Sequence, residues 1–352
     1  MLIEKRLKNM IMSTQGPPKH FLKNYMINTP NDRLLDVKDL RTSFFTRKGE
    51  VKAVDGVSFE VNRGEIVGLV GESGCGKSIT SLSIMRLVPQ PAGRIIGGRM
   101  LFCGEDLFKK TEAEMRRLRG NRLSMILQDP MVSLNQLLTV GYQLEETFRY
   151  HNKTDGSMKD RCIELLKKVK VPAPEQRVED YPFQFSGGMS QRALIAMGIA
   201  NNPDLLIADE PTTALDVTVG AQVLKLIKGI QGKSRGAIIL ITHDLASVAQ
   251  ICTRVLVMYA GRIIEKAPIK TFYKNPAHPY SQGLIRSVPV LGRRAERLFS
   301  IEGMPPSLIN PPPGCRFAPR CSQVRDVCAK KYPPEIQLED EHLVSCWLYE
   351  EG

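Results

Sequence analysis

Ile66-Val67-Gly68-Leu69-Val70 runs directly into Gly71-Glu72-Ser73-Gly74-Cys75-Gly76-Lys77-Ser78, and a helical segment follows from Ile79 to Leu87. This stretch decides the fold. A continuous apolar run of strand length is what a strand covered on both faces requires. The glycine-rich turn after it, closed by Lys and Ser at a helix start, is the setting in which main-chain N–H groups cradle phosphates. Lys77 supplies a point charge for β- and γ-phosphates, Ser78 offers a hydroxyl to Mg²⁺, and the helix start adds partial positive charge. A merely structural glycine turn is the plain alternative, and the flanking strand and helix count against it. Cys75 carries two readings: a thiol of lowered pKa at a helix N-terminus, or a small residue filling a tight loop.

Further along, Leu205-Leu206-Ile207-Ala208 ends in Asp209-Glu210. A buried strand finishing in two carboxylates places charge at the carboxyl edge of the sheet, where ligands bind. Asp209 suits Mg²⁺ through its water shell, and Glu210 suits polarising an attacking water as general base. Ile238 to Thr242 and Val255 to Met258 repeat the apolar pattern, with helical patterns between, so the core reads as a parallel α/β sheet. Before it, Leu35, Val37, the segment Val51 to Val54, then Val57, Phe59 and Val61 alternate as half-buried antiparallel strands do.

The middle of the chain is rich in helix. Thr111 and Glu114 fit a capping box. Ile163, Leu165, Leu166 and Val169 form an apolar stripe, and Asn201-Asn202-Pro203 stops the helix before the acidic strand. Met304 to Gly314, with five prolines, reads as a stiff linker leading to a cysteine-rich tail.

Composition bounds the rest. The 352 residues suffice for a full core plus an appended module, and 42% hydrophobic with 24% charged residues is ordinary for a globular chain. No run of about 18 apolar residues is present to span a bilayer. A net charge of +12 suits nucleic acid, anionic lipid or nucleotide phosphates without choosing among them. Residues 1–33 read as a disordered leader or a misplaced start, with Met10, Met12 and Met26 as later starts. Cys315, Cys321, Cys328 and Cys346 crowd the tail. Where ATP is used the compartment is reducing, which favours metal ligation over disulfides. Their wide gaps count mildly against structural zinc, and four thiolates suit an iron–sulfur cluster.

Phosphate loops occur in many enzymes, so a narrower signal is needed. Phe185-Ser186-Gly187-Gly188-Met189-Ser190-Gln191-Arg192, with Gln128, Ala214-Leu215-Asp216 and His243, resembles the ABC ATPase cassette from about Leu34 to Asn275. The resemblance implies a RecA-like P-loop ATPase core with an N-terminal antiparallel β subdomain and a helical subdomain inserted at about 129–200. Ser186, Gly187 and Gly188 would grip the γ-phosphate of ATP held by the opposite subunit, with exposed N–H groups and a helix dipole as the anion site. By the same likeness Gln128 would contact Mg²⁺ and sense the γ-phosphate, and Asp216 would orient the facing loop. His243 would hold the γ-phosphate and the attacking water. ATP would lie along Gly71, Ser73, Gly74, Cys75, Gly76, Lys77, Ser78 and Ile79, its adenine stacked on Phe44; Phe45, or no stacking at all, stays open.

A closer likeness rests on Gln128-Asp129-Pro130-Met131-Val132-Ser133-Leu134-Asn135, on Ala208 to Val219, on Asn275-Pro276-Ala277-His278-Pro279-Tyr280 and on the cysteine tail. These look like the oligopeptide/dipeptide importer ATPases, with 276–352 as their C-terminal extension. Gln136, Phe183, Ser190 and Gly220 depart from that family's usual Pro, His, Arg and Gln. The likeness implies a [4Fe–4S] cluster at the four tail cysteines and an ATP-hydrolysing dimer, a heterodimer first. It further implies two transmembrane permease subunits, an extracellular or periplasmic substrate-binding protein, and a place at the cytoplasmic face of the membrane. Two rivals are a soluble ABC ATPase acting on nucleic acid or ribosomes, and a binding-only regulatory subunit. Against the first stand the lack of a second cassette and of an aromatic platform, so no nucleic acid is expected; against the second stand Lys77, Asp209, Glu210 and His243.

Overall fold

The computed structural model describes residues 32–151, 156–213, 215–234, 236–288 and 299–350. The leader apart from its last two residues, including Met10, Met12 and Met26, and Ala214 lie outside the described residues.

The strands are β1 (Arg33–Thr46), β2 (Gly49–Asn62), β3 (Ile66–Val70), β4 (Gly93–Phe102), β5 (Glu105–Asp106), β6 (Leu123–Ile126), β7 (Leu205–Asp209), β8 (Ala237–Thr242), β9 (Arg254–Tyr259), β10 (Arg262–Pro268), β11 (Ile336–Glu339) and β12 (His342–Val344). They form two sheets, one in the order β2-β1-β4-β5 and one in the order β11-β12-β10-β9-β3-β8-β7-β6. The pairs of β3 with β8 and β9, of β7 with β8 and of β6 with β7 are parallel; β10, β12 and β11 add antiparallel edges.

The apolar runs of the parallel strands are explained by what covers them. Ile66 and Val70, Leu206 and Ala208, Ile238 and Leu240, and Val255 and Val257 face one core, built mainly with helices. Val67 and Leu69, Leu205 and Ile207, Ile239 and Ile241, and Leu256 and Met258 face a second core shared with the N-terminal strands. Successive side chains point to opposite faces, so a sheet buried on both sides needs an unbroken apolar run. Full burial of each Val, Leu, Ile or Met among them favours the fold by roughly 1.5–3 kcal/mol.

β2 is one strand of 14 residues, where the alternation read from sequence breaks into short pieces. Several register shifts against β1 interrupt the period of two. Between the paired strands β6 and β7 the chain makes the helices Pro130–Ser133, Val140–Arg149, Met158–Lys168, Pro174–Arg177 and Gly187–Ile199. Thr111 and Glu114 form their capping box, and Leu165, Leu166 and Val169 are buried.

The proline-rich segment does not behave as a free linker. Lys52 N–H donates to the Leu308 carbonyl at 2.9 Å, and Val51 bridges to Ile309, so the segment lies along β2. Beyond it, β12 and β11 extend the main sheet. Glu265 on β10 is fully buried and accepts N–H groups of Ala277 and His278, each at 2.8 Å, and pairs with His342 Nε2 at 3.0 Å. Burial pushes its carboxyl up, but the donors from His342, Ala277, Ser281 and His278 outweigh that and hold it below the ordinary range.

Candidate functional site

The loop between β3 and the helix Lys77–Ile84 is shaped by its glycines. Gly71 has φ +154°, and a Cβ there would stand 2.1 Å from the Met258 carbonyl oxygen; at Gly76, φ +107°, it would stand 2.3 Å from that of Ala53. No other residue fits either position. Lys77 is buried and donates Nζ to the carbonyls of Gly71 (2.8 Å) and Glu72 (3.0 Å), so its ammonium is parked inside the loop it closes. Gly261 N–H holds the Cys75 carbonyl at 2.8 Å from the β9–β10 turn.

Cys75 is buried at 5% exposure. Burial pushes its thiol up against the pull of Lys77, which favours the second of the two readings, a small residue filling a tight loop.

β7 carries the acidic pair to the sheet's carboxyl edge. Burial pushes the Asp209 carboxyl up, opposed by a hydrogen bond from Ser78, with Glu210 adding to the rise and Lys77 opposing it. Its Oδ1 is buried without a protein partner. A hydroxyl and a carboxylate with an orphaned oxygen fit a hard cation that takes oxygen ligands, so Ser78 and Asp209 are suited to hold Mg²⁺. Such an ion would neutralise charge on the phosphates.

Glu210 adopts a left-handed backbone, φ +46°, and its N–H donates to the Ile241 carbonyl of β8 at 2.8 Å. This turn aims the carboxylate out of the sheet. Gln128 Nε2 and Thr213 Oγ1 donate to Oε2 at 3.0 and 2.8 Å, and His243 Nδ1 stands 3.2 Å from Oε1. Two residues singled out in the sequence, Gln128 and His243, thus converge on a third, Glu210; Thr213 was not among them, since a Thr beside an acidic pair carries no signal of its own.

The signature segment lies apart from the loop. Ser186 caps the helix Gly187–Ile199, accepting from Met189 N–H at 3.4 Å, and Ser186 and Gly187 are exposed. Among the described residues no hydrogen bond or ion pair joins Ser186, Gly187 or Gly188 to the phosphate loop. Asp216 is exposed and accepts Val219 N–H at 2.9 Å. Ser190 and Gln191 are buried with side-chain atoms lacking partners, and Phe183 is 65% exposed, stacked on Tyr181 at 5.5 Å. Phe44 is half-buried and wedged against Gly93, whereas Phe45 is 47% exposed with the Arg94 guanidinium 5.6 Å from its ring centre.

The four tail cysteines are free thiols near enough to influence one another. Each accepts a main-chain N–H: Cys315 from Phe317, Cys321 from Gln323, Cys328 from Arg325 and Cys346 from Leu348. Yet among the described residues no group of three or more His, Cys, Asp or Glu side chains stands in an arrangement that holds a metal. The [4Fe–4S] expectation is therefore not supported by the placement of the sulfurs.

Fold and site together define a P-loop ATPase of the ABC cassette class. The family model described as ABC transporter matches residues 54–213, and that described as oligopeptide/dipeptide transporter, C-terminal region, matches residues 264–328. The dipeptide transport ATP-binding protein DppD of Bacillus subtilis is 49% identical over 321 residues, covering 91% of this chain and 96% of that protein. The probable peptide ABC transporter ATP-binding protein y4tR of Sinorhizobium fredii is 47% identical, over 91% of this chain and 96% of its own length. The fold is shared with a dimeric ATP-binding cassette, MJ0796, bound to ADP and Pi, at TM-score 0.60 and 24% identity over 67% of this chain and 99% of that one. The chain belongs to the ATP-binding subunits of ABC transporters, in the branch that carries the oligopeptide/dipeptide C-terminal region, and it is an ATPase.

Proposed function

We propose that this chain is a motor subunit of a peptide importer, in which two cassettes sandwich ATP and drive two membrane-spanning partners. The observation that carries the reading is the Glu210 carboxylate held by Gln128, Thr213 and His243 beside the phosphate loop. A carboxylate so oriented is suited to take a proton from water attacking the γ-phosphate, while His243 and Gln128 align that water. Lys77 would leave its two carbonyl acceptors for the phosphates. The exposed Ser186 and Gly187 are free to meet the ATP of a facing cassette, and Asp216 to meet its loop.

Peptide cargo is supported by the C-terminal region match and by relatives named as dipeptide or oligopeptide transport ATP-binding proteins. The second cassette is a different chain, and a substrate-binding protein delivers cargo outside. No helix among the described residues is long and apolar enough to cross a membrane, so attachment at the cytoplasmic face runs through the permeases. The test is ATP hydrolysis by the reconstituted complex in liposomes. Stimulation by peptide-loaded binding protein supports the reading, and hydrolysis indifferent to any peptide overturns the cargo class.

For the tail we propose that the four thiols, after side-chain rotation, hold a [4Fe–4S] cluster. Free thiols that already accept N–H groups support this. Iron and sulfide near four of each per chain, in anaerobically purified protein, is the expected result. Stoichiometric zinc without iron contradicts it.

A further inference from the structure

Glu72 is the one acidic side chain in the phosphate loop, and it is held from three directions. Its N–H donates to the Tyr280 hydroxyl at 2.8 Å. Its carbonyl receives Lys77 at 3.0 Å. Its carboxylate meets the Arg320 guanidinium on both oxygens, Nη1 to Oε2 at 2.8 Å and Nη2 to Oε1 at 3.0 Å. Arg320 belongs to the C-terminal extension, one residue before Cys321.

The geometry is that of a built clamp. The Arg320 side chain is 5% exposed and Glu72 is 28% exposed, so the pair is partly withdrawn from solvent screening. Arg320 is itself fixed by the carbonyls of Glu302 (2.9 Å) and Ile301 (3.1 Å) and by the Tyr259 hydroxyl (3.3 Å). Tyr259, Tyr280 and Phe317 pack tilted or edge to face behind it, with centroids 4.6 to 5.5 Å apart. A planar guanidinium gripping a carboxylate at both oxygens fixes orientation as well as charge.

A carboxylate in a loop that binds phosphates works against its ligand unless neutralised. We propose that Arg320 is a positioning residue for nucleotide binding: by clamping Glu72 it cancels the loop's own negative charge, so the C-terminal extension sets how tightly ATP is held. This rests on the reading of residues 71–78 as the ATP phosphate site. Any change that shifts the extension then reaches the phosphate loop through one ion pair.

The experiment uses the full-length chain, with equilibrium binding of a fluorescent ATP analogue, and the assembled complex for KM and kcat. Arg320→Gln is expected to raise Kd and KM about five- to tenfold, the scale of one unpaired partly buried charge, with kcat within about twofold. Glu72→Gln/Arg320→Gln is expected to recover affinity to within about twofold, because no carboxylate is left to oppose the phosphates. A role confined to holding the tail in place predicts no such recovery. Unchanged affinity in Arg320→Gln, or a double variant as weak as the single, overturns the proposal. Should Arg320→Gln not fold, Arg320→Lys decides: a rise of about two- to threefold supports the clamp, and none overturns it. A wild-type chain binding no MgATP, or Lys77→Ala binding as tightly as wild type, overturns the phosphate-loop reading instead.

Discussion

The amide of Gln128, in the bend just after β6 that leads into the helical insertion, stands 3.0 Å from the carboxylate of Glu210, 82 residues further along the chain. One hydrogen bond thus joins the segment expected to face the membrane partner to the side chain expected to act on water.

Removing the base without changing its shape tests that side chain. Glu210→Gln keeps ATP binding and lowers turnover by roughly 10²–10⁴-fold, the usual contribution of a general base. Steady-state hydrolysis beside equilibrium ATP binding checks this. Turnover unchanged in the variant removes Glu210 from the chemistry.

Gly76→Ala places a methyl group 2.3 Å from the Ala53 carbonyl at φ +107°, so the loop must open. The backbone strain is about 1–3 kcal/mol, and the contact with a main-chain oxygen adds to it. ATP binding is lost and the melting temperature falls with it. Calorimetry of folding and of ATP binding measures both; wild-type affinity contradicts the assigned loop geometry.

A pH dependence follows from His278. Burial lowers its pKa from 6.5 to about 4, with Glu265 opposing. The folded state therefore binds this proton more weakly than the unfolded chain. Its stabilising contribution is complete above about pH 6.5 and is lost as pH falls toward about 4, up to about 3 kcal/mol in all. Glu265, held low, acts only below its ordinary range. His278→Asn keeps an acceptor for the Tyr280 N–H and flattens the fall of melting temperature between about pH 6.5 and 5. An equal slope in wild type and variant contradicts this.

Cys75 alkylates slowly in the native chain, because its thiol is buried and pushed up. Peptide mapping after brief alkylation at mildly alkaline pH is expected to find it labelled only on unfolding. Rapid native labelling contradicts the placement.

Fold class was open to sequence reasoning because a strand covered on both faces writes an unbroken apolar run, as β3, β7, β8 and β9 each do. Gln128, Glu210 and His243 were open to it because each sits in a motif of fixed spacing. Tyr280 and Arg320 were not: they lie 208 and 248 residues from Glu72, and neither a buried tyrosine nor a tail arginine announces its partner locally. The proline-rich segment misled for a related reason. Prolines predict stiffness, but only the sheet's position shows that Leu308 meets Lys52. The sequence left Cys75 between two readings because a helix N-terminus argues for a low pKa, while the burial that opposes it is not visible locally.

The account rests on nucleotide being closed between two cassettes, each completing the other's site. Glu210→Gln chain, mixed with its partner ATPase and MgATP, is the direct test, read by light scattering with quantified bound nucleotide. A stable two-cassette particle that retains ATP and falls apart when nucleotide is removed is the predicted result. A chain that stays monomeric at saturating MgATP, with or without its partner, contradicts it.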